Sequence, residues 1–558
     1  MSSIKLRPWQ AKAIKKSLHW YTKTKSDNRF LINAAPGSGK TICASVIAEK
    51  LIAMGEIDRV IVIAPLNEVV RQWSEEFKFV TKRHMSKVTG SDSNIEDFGV
   101  DLCATWSSIQ GLLDGFQHVC NNSKTLIICD EHHHAAISAA WGEGANGAFK
   151  NAKYVLVLTG TPIRSDGEEM VWFAYTEKGK INHPEEGTYT LTYGEAVKLG
   201  YCRPITFHRH WGQYSVEVDK GETIVVDGNK EAEIPKNLKR VKGIQQALEF
   251  YQLACKPKFH SDGTLDTDDI QTYQASMLEK GIQKLSEVQL TKPEAGGLII
   301  APNILVAEYM AGLLHTLTGE KPELVHSQLS NSTNTIDRFR NSTKNWIVSV
   351  AMVSEGVDIK RLRVLVFLPS AKTELFFRQA MGRVVRTTDE NDLSFANVIM
   401  PTDKTFDLYA RRVEKEMPES FAKPKENKFK ICPTCHTENS LNARECIECG
   451  DEFPLPKINY KTCEDCGALN PIHNKKCQSC GASFENKFHI TLEAACRDGG
   501  IVRGMDLDEE DMKLGEKIGP GIIKGIIASN DSVLIDTLRG LPPESYARVI
   551  KIIDKETN

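Results

Sequence analysis

A chain of 558 residues is too long for a single hydrophobic core, and at ~150 residues per domain it is expected to fold as roughly three or four units. With 41% apolar and 26% charged residues it has the composition of a globular protein; no stretch approaches the ~20 apolar residues of a membrane span, and the opening MSSIKLRPWQ lacks the apolar core of a secretory signal, so a cytoplasmic location without membrane contact is expected. A net charge of −3 gives no general attraction for a polyanion, so any contact with nucleic acid has to come from local basic surface.

Between Phe30 and Tyr175 the apolar runs FLINAA, VIVIAP, TLIICD and YVLVLTG alternate with helical patterns, which predicts a parallel sheet with helices on both faces. The segment AAPGSGKT at 34–41 lies between the first of these strands and a helix start. A glycine-rich turn there lets backbone N–H groups surround phosphates: Pro36, Gly37, Ser38 and Gly39 form the turn, Lys40 reaches the β- and γ-phosphates of ATP, and Thr41 holds Mg2+. The general pattern starts on Gly, and here Ala34 stands in its place.

LIICDEHHHA at 126–135 ends a strand on Asp130 and Glu131, at the sheet edge where open α/β folds bind ligands. Asp130 is expected to coordinate Mg2+ and Glu131 to orient or deprotonate the attacking water. A lone pair of acids is as often merely solvated; its order after the glycine turn favours the catalytic reading. His132, His133 and His134 follow, but adjacent side chains diverge and rarely all bind one ion, so a metal there is the minor reading.

Residues 177–296 are poorer in apolar strands: GETIVVDGNKEAE reads as a hairpin, with helical stretches around Ile244–Cys255 and Gln271–Val288. A second α/β series then runs from GLIIAP through WIVSV and VLVFLP to NVIMP. Near its end RQAMGRVVR at 378–386 puts Arg383 and Arg386 three apart on one helix face. Two guanidinium groups suit a γ-phosphate, and their arrival from a second lobe makes hydrolysis respond to closure. A basic pair is commonly just a solvated face, but its position at the end of the second unit argues for the site.

Beyond Ala410, KEMPESFAKPKENKFK reads as a linker. Cys432, Cys435, Cys446 and Cys449 then form CxxC-x10-CxxC, and Cys463, Cys466, Cys477 and Cys480 repeat it. Two CxxC turns complete an all-thiolate tetrahedron with no open position, so two structural Zn2+ are expected rather than redox dithiols. The other seven of the fifteen cysteines are scattered, which fits a reducing compartment better than a disulfide framework. Lys425, Lys428, Lys430, Lys461, Lys475 and Lys476 flank the ribbons and favour nucleic-acid contact over protein docking. Residues 488–558 read as helices broken by Gly-Pro, with an acidic run DLDEED, suited to packing or a protein partner. The expected division is a first lobe at 1–176, connection and insertion at 177–296, a second lobe at 297–415, a linker at 416–430, ribbons at 431–455 and 460–486, and a helical segment at 487–558.

Taken in order, the motifs over roughly residues 4–411 resemble those of superfamily 2 helicases, which implies two RecA-like lobes. By this resemblance LRPWQ at 6–10 is the adenine-recognising segment, with Gln10 on the base and Arg7 beside it. VIVIAPLNEVVRQW at 60–73 and CATWSSIQ at 103–110 would touch the nucleic-acid backbone, with Thr105 the preferred contact. LTGTPIR at 158–164 would couple ATP state to strand movement. LVHSQ at 324–328 and SVAMVSEGVDI at 349–359 are further motor motifs, with Gly356 and Asp358 near the nucleotide, and Gln379 joins Arg383 and Arg386 in the ATP site. DEHHH, TGTPIRSDG and SEGVDI most resemble the branch of restriction-enzyme motor subunits, XPB-like helicases and RadD-type repair helicases, the last of which also carry a C-terminal zinc-binding region. DEHH and TGTP replace the DEAD and SAT of DEAD-box RNA helicases, so DNA is expected over RNA. The implied activity is an ATP-dependent DNA helicase or translocase of repair, recombination or replication. Two alternatives stay open: the duplex-DNA motor of a restriction or anti-phage assembly, and a zinc-ribbon nucleic-acid-binding scaffold gated by ATP.

Overall fold

The runs RVIVIA (Arg59–Ala64), TLIICD (Thr125–Asp130) and YVLVLT (Tyr154–Thr159) are buried along almost their whole length because helices cover both faces of the sheet they build. In this computed structural model the sheet has seven parallel strands, ordered edge to edge Met85–Val88, Asp101–Thr105, Arg59–Ala64, Thr125–Asp130, Tyr154–Thr159, Arg29–Ala34 and Thr188–Leu191. Strand alternation sorts the apolar side chains onto its two faces. Ile32, Val62, Ile128 and Leu156 pack with Cys43 and Ile47 of the helix Lys40–Ala53, while Leu31, Ile61, Ile127 and Val155 pack with Trp106 and Phe116. The structure describes residues 5–496 except 66, 89–94, 96–97, 110–111, 132–146, 161–171, 176–180, 220–221, 229–231, 236–243, 327, 330–331, 351–358, 389–391, 393, 419–428, 433, 441–442, 444, 454–459, 463–468, 472–477 and 480–486.

A second parallel sheet runs Ile205–His210, Ala396–Pro401, Leu362–Phe367, Gly296–Ile300, Trp346–Ser349 and Glu323–Val325. The chain thus has two RecA-like α/β lobes. The segment between them is divided differently from the expectation: Thr188–Leu191 is an edge strand of the first sheet and Ile205–His210 an edge strand of the second. TYTL is too short, and ITFHRH too polar at its end, to carry the apolar run by which central strands are read.

The insertion also differs in detail. Glu222–Asp227 is only the second strand of a hairpin; its antiparallel partner is Gln213–Asp219, upstream of the stretch expected to hold both. The helical expectation near 244–255 resolves into Ile244–Ala247 and Phe250–Ala254, and Tyr273–Gln289 forms one helix capped by the Thr272 hydroxyl, which accepts from the Ala275 amide. Lys487–Thr491, expected to open a helical segment, is a strand that pairs in parallel with Gln213–Asp219. Its alternation brings Phe488 against Tyr214 and Tyr273, and the available edge of the hairpin outweighs a weak local helix preference. The chain therefore returns to the motor body after the cysteine-rich region. Among the described residues no helix is long and apolar enough to cross a membrane.

Candidate active site

The turn that follows Arg29–Ala34 bends through two left-handed residues, Gly37 (φ 74°) and Gly39 (φ 92°), and Gly39 caps the helix Lys40–Ala53. Any side chain would be strained at both positions and obstructed as well: a Cβ on Gly39 would stand 2.8 Å from Gln10 Nε2, and one on Gly37 would stand 3.0 Å from Arg386 Cγ. Three side chains of the preceding segment hold the carbonyls of this turn. Arg7 Nη1 donates to Ser38 O (2.8 Å) and Gly37 O (3.3 Å), Trp9 Nε1 to Ser38 O (3.1 Å), and Gln10 Nε2 to Gly39 O (2.9 Å). With the carbonyls turned onto these donors, the free amides at the helix start are left for an anion. The buried Ser38 Oγ has no hydrogen-bond partner among the described residues, as a group reserved for a phosphate would. Lys40 Nζ rests on Ala34 O (2.9 Å), 3.1 Å from where a Cβ on Gly160 would sit.

Asp130 ends its strand buried at the cavity wall, and Trp73 Nε1 donates to its Oδ2 at 2.7 Å. Burial first, and then the neighbouring Glu131, push the Asp130 carboxyl up to about 7 against the opposing pull of Trp73 and Lys40. A buried carboxylate held there without a full counter-charge fits a divalent cation, with Thr41 lining the same cavity. Glu131 has φ 50°, a left-handed conformation that costs a non-glycine residue on the order of 1–3 kcal/mol and is found where function fixes it.

The second lobe closes the site. Its helix Glu374–Val384, capped by Thr373, packs Gly382 so tightly on Pro36 that a Cβ on Gly382 would lie 2.9 Å from the proline ring. Lys40, Thr41, Asp130 and Glu131 from one lobe and Gln379, Arg383 and Arg386 from the other line one cavity of ≈ 280 Å3. Such a cavity can hold a polyphosphate between a lysine, a magnesium carboxylate and two guanidinium groups. Gly356 and Asp358 lie outside the described residues, as do His132, His133 and His134. Thr105 is buried and its hydroxyl is bonded to Ser108 Oγ (2.7 Å), which puts it beneath the surface rather than on it. Trp9 and Trp73 carry no motif signal of their own, and only the fold shows that they hold Ser38 O and Asp130.

In the cysteine-rich region the Sγ atoms of Cys432, Cys435, Cys446 and Cys449 all lie within 4.8 Å of one another, with Cys432–Cys449 at 3.6 Å and Cys435–Cys446 at 3.5 Å. Zinc–thiolate bonds of ~2.3 Å in a tetrahedron place sulfurs ~3.8 Å apart, so this donor set fits Zn2+. The two turns repeat one geometry. Cys432 N donates to Thr437 O and His436 N to Cys432 O; Cys446 N donates to Asp451 O and Gly450 N to Cys446 O, with His436 (φ 60°) and Gly450 (φ 72°) at matching positions. Cys463, Cys466, Cys477 and Cys480 lie outside the described residues, but the hairpin of Tyr460–Thr462 with Leu469–Pro471 repeats the pairing of Phe429–Ile431 with Glu438–Ser440.

Two family models match this chain: "Type III restriction enzyme, res subunit" over residues 3–164 and "Helicase conserved C-terminal domain" over residues 281–388. The two matches, in this order along the chain, support a superfamily 2 helicase of the restriction-subunit branch. Domains of these two kinds are found in ATP-dependent nucleic-acid helicases and translocases, a class that uses ATP with a divalent cation. An uncharacterized protein of Mycobacterium leprae is 28% identical over 419 residues, covering 75% of this chain and 65% of that relative, so the chain spans a little under two thirds of its length. Among solved structures, the ATP-dependent Type ISP restriction-modification enzyme LlaBIII bound to DNA has a TM-score of 0.47 at 15% identity, over 76% of this chain and 31% of that one. S. cerevisiae Dbp5 bound to RNA and ADP BeF3 has a TM-score of 0.44 at 12% identity, over 74% and 92%.

Proposed function

We propose that this protein is a DNA-stimulated ATPase that moves along or unwinds DNA, in the cytoplasm, in repair, recombination or replication. One observation supports the reading above all: the groups that suit the two ends of a triphosphate come from different lobes and line one cavity. In this reading Lys40 and the amides of the glycine turn bind the β- and γ-phosphates, with Gln10 and Arg7 at the adenine end. Thr41 and Asp130 hold the divalent cation, which neutralises charge on the phosphates when bound. Glu131 orients the attacking water and accepts its proton. Arg383 and Arg386, with Gln379, stabilise the charge that grows on the transferred phosphoryl group, and they do so only while the cleft is shut. The motif resemblance assigns Gly356 and Asp358, outside the described residues, to the same nucleotide. Hydrolysis removes the anion that draws the lobes together, and repeated closure becomes stepping. The two zinc ribbons supply basic surface for the DNA or a dock for a protein partner.

DNA is favoured over RNA by DEHH and TGTP in the motor motifs and by the restriction-subunit family match. The test is ATP hydrolysis by the full chain with single-stranded, duplex and forked DNA and with RNA. Stimulation by DNA is expected; stimulation by RNA alone overturns the assignment. The same family match favours a second reading, a duplex translocase that does not separate strands, as in a restriction or anti-phage assembly. Displacement of a third strand without opening of a labelled fork would select it.

A further inference from the structure

The tripeptide that joins the lobes, Tyr201–Cys202–Arg203, touches both walls of the nucleotide cavity. Arg7, which holds the glycine turn, lies with its guanidinium 4.5 Å from the centre of the Tyr201 ring. Cys202 is buried; its Sγ donates to the carbonyl of Pro36 (3.1 Å) in the turn, and its backbone forms a β-bridge with Arg386. Arg203 N donates to Val385 O at 2.6 Å, next to Arg386.

The Arg203 side chain is 0% exposed, and its donors are all engaged. Nε and Nη2 donate to Asp392 Oδ2 (2.9 and 2.7 Å), Nη1 to Leu362 O and Val384 O (3.0 Å each), and Nη2 to Lys360 O (2.8 Å). Five bonds are the full complement of a guanidinium. Val384 is the last residue of the arginine helix, and Lys360 is itself on the cavity wall. Arg363, also 0% exposed, reaches Asp392 Oδ2 at 3.4 Å. Burial works to raise the Asp392 carboxyl, and the two guanidinium groups overcome it and keep it well below the usual carboxylate range. A buried ion cluster adds little net stability against well-packed apolar residues, so its presence here calls for a geometric reason.

We propose that Arg203 is a positioning residue for Arg383 and Arg386, and that Cys202 ties that arrangement to the glycine turn, so the inter-lobe connection sets the register between phosphate loop and arginine pair. The proposal rests on the reading of the cleft given above. The fork geometry is what does this: a lysine at 203 offers three donors from one atom and cannot span Asp392 and three carbonyls. The arginine helix then loses its fixed end while the pocket for the nucleotide base and phosphates keeps its own bonds to Arg7, Trp9 and Gln10.

The test is a mutant cycle on the full chain with saturating DNA, reading kcat, KM for ATP and the affinity for a fluorescent ATP analogue. Arg203→Lys is expected to lower kcat about 10- to 100-fold, with KM and analogue affinity changed less than about threefold, and to have no further effect in an Arg386→Ala background. Should Arg203→Lys fail to fold, Cys202→Ala carries the test: kcat about threefold lower at an unchanged melting temperature, again absent in the Arg386→Ala background. The same factor in both backgrounds, a rise in KM alone, or wild-type turnover by a folded Arg203→Lys and by Cys202→Ala overturns the proposal while leaving the cleft reading intact. Wild-type turnover by Arg386→Ala overturns the cleft reading itself, and the proposal with it.

Discussion

Asp130 and Cys432 are both buried ligand candidates, yet what surrounds them differs. Asp130 sits at the end of a strand whose neighbours Ile127, Ile128 and Cys129 are fully buried, in a lobe with a core on each face of its sheet. Around Cys432 the buried side chains among the described residues are Cys446, Lys430 and Asn439. Apolar burial worth ~25 cal/mol per Å2 holds the motor lobe in shape before any ligand arrives. Among the described residues the ribbon has almost no such surface, so a Zn2+ held by its four thiolates would set its geometry. The contrast teaches that one chain can fix its two kinds of site in opposite orders: in the lobes the fold precedes the ligand, and in a zinc-bound ribbon the ligand would precede the fold.

The comparison is sharpest under chelation, where the expected effect is largest. A structural zinc supplies on the order of 10 kcal/mol of folding free energy, so removing it should abolish amide protection over 429–453 while basal ATP hydrolysis persists. Elemental analysis should give about two zinc ions per chain, falling by one in Cys446→Ser. Loss of ATP hydrolysis together with the ribbon would break the contrast. Within the lobe, Lys40→Ala should lower turnover by about 10^2- to 10^3-fold without unfolding the protein, because the apolar core does not depend on that ammonium. Retained activity in Lys40→Ala would favour the scaffold reading instead. The smallest effect is expected from Trp73→Phe: without the indole N–H on Asp130, the Mg2+ concentration needed for half-maximal hydrolysis should rise about 10-fold, measured by titration at fixed ATP. No change would show that the 2.7 Å bond has no part in holding the carboxylate for the ion.

What the sequence made legible follows the same physics. The glycine turn, Asp130–Glu131 and Arg383/Arg386 were readable because each is a compact motif between strong apolar strands. Four cysteines at ribbon spacing were readable from their spacing alone. Trp73 on Asp130, Cys202 on Pro36 and the five bonds of Arg203 were not, since each joins segments far apart in the chain and a lone tryptophan, cysteine or arginine carries no periodic signal. Edge strands were missed on other grounds. Thr188–Leu191, Ile205–His210 and Lys487–Thr491 are short or half-polar, and they become strands because an open sheet edge is waiting for them. The last of these changes the layout of the molecule: the ribbons are spanned by the helix Lys404–Glu416 before them and a strand of the motor body after them.

The central claim, that both lobes act on one triphosphate, is tested most directly by single-turnover ATP hydrolysis in Arg386→Ala with DNA present. The account predicts that analogue binding stays within a few-fold of wild type while the hydrolysis step slows about 10^3-fold. Hydrolysis at the wild-type rate, with the Arg386 guanidinium gone from the cavity, would contradict it.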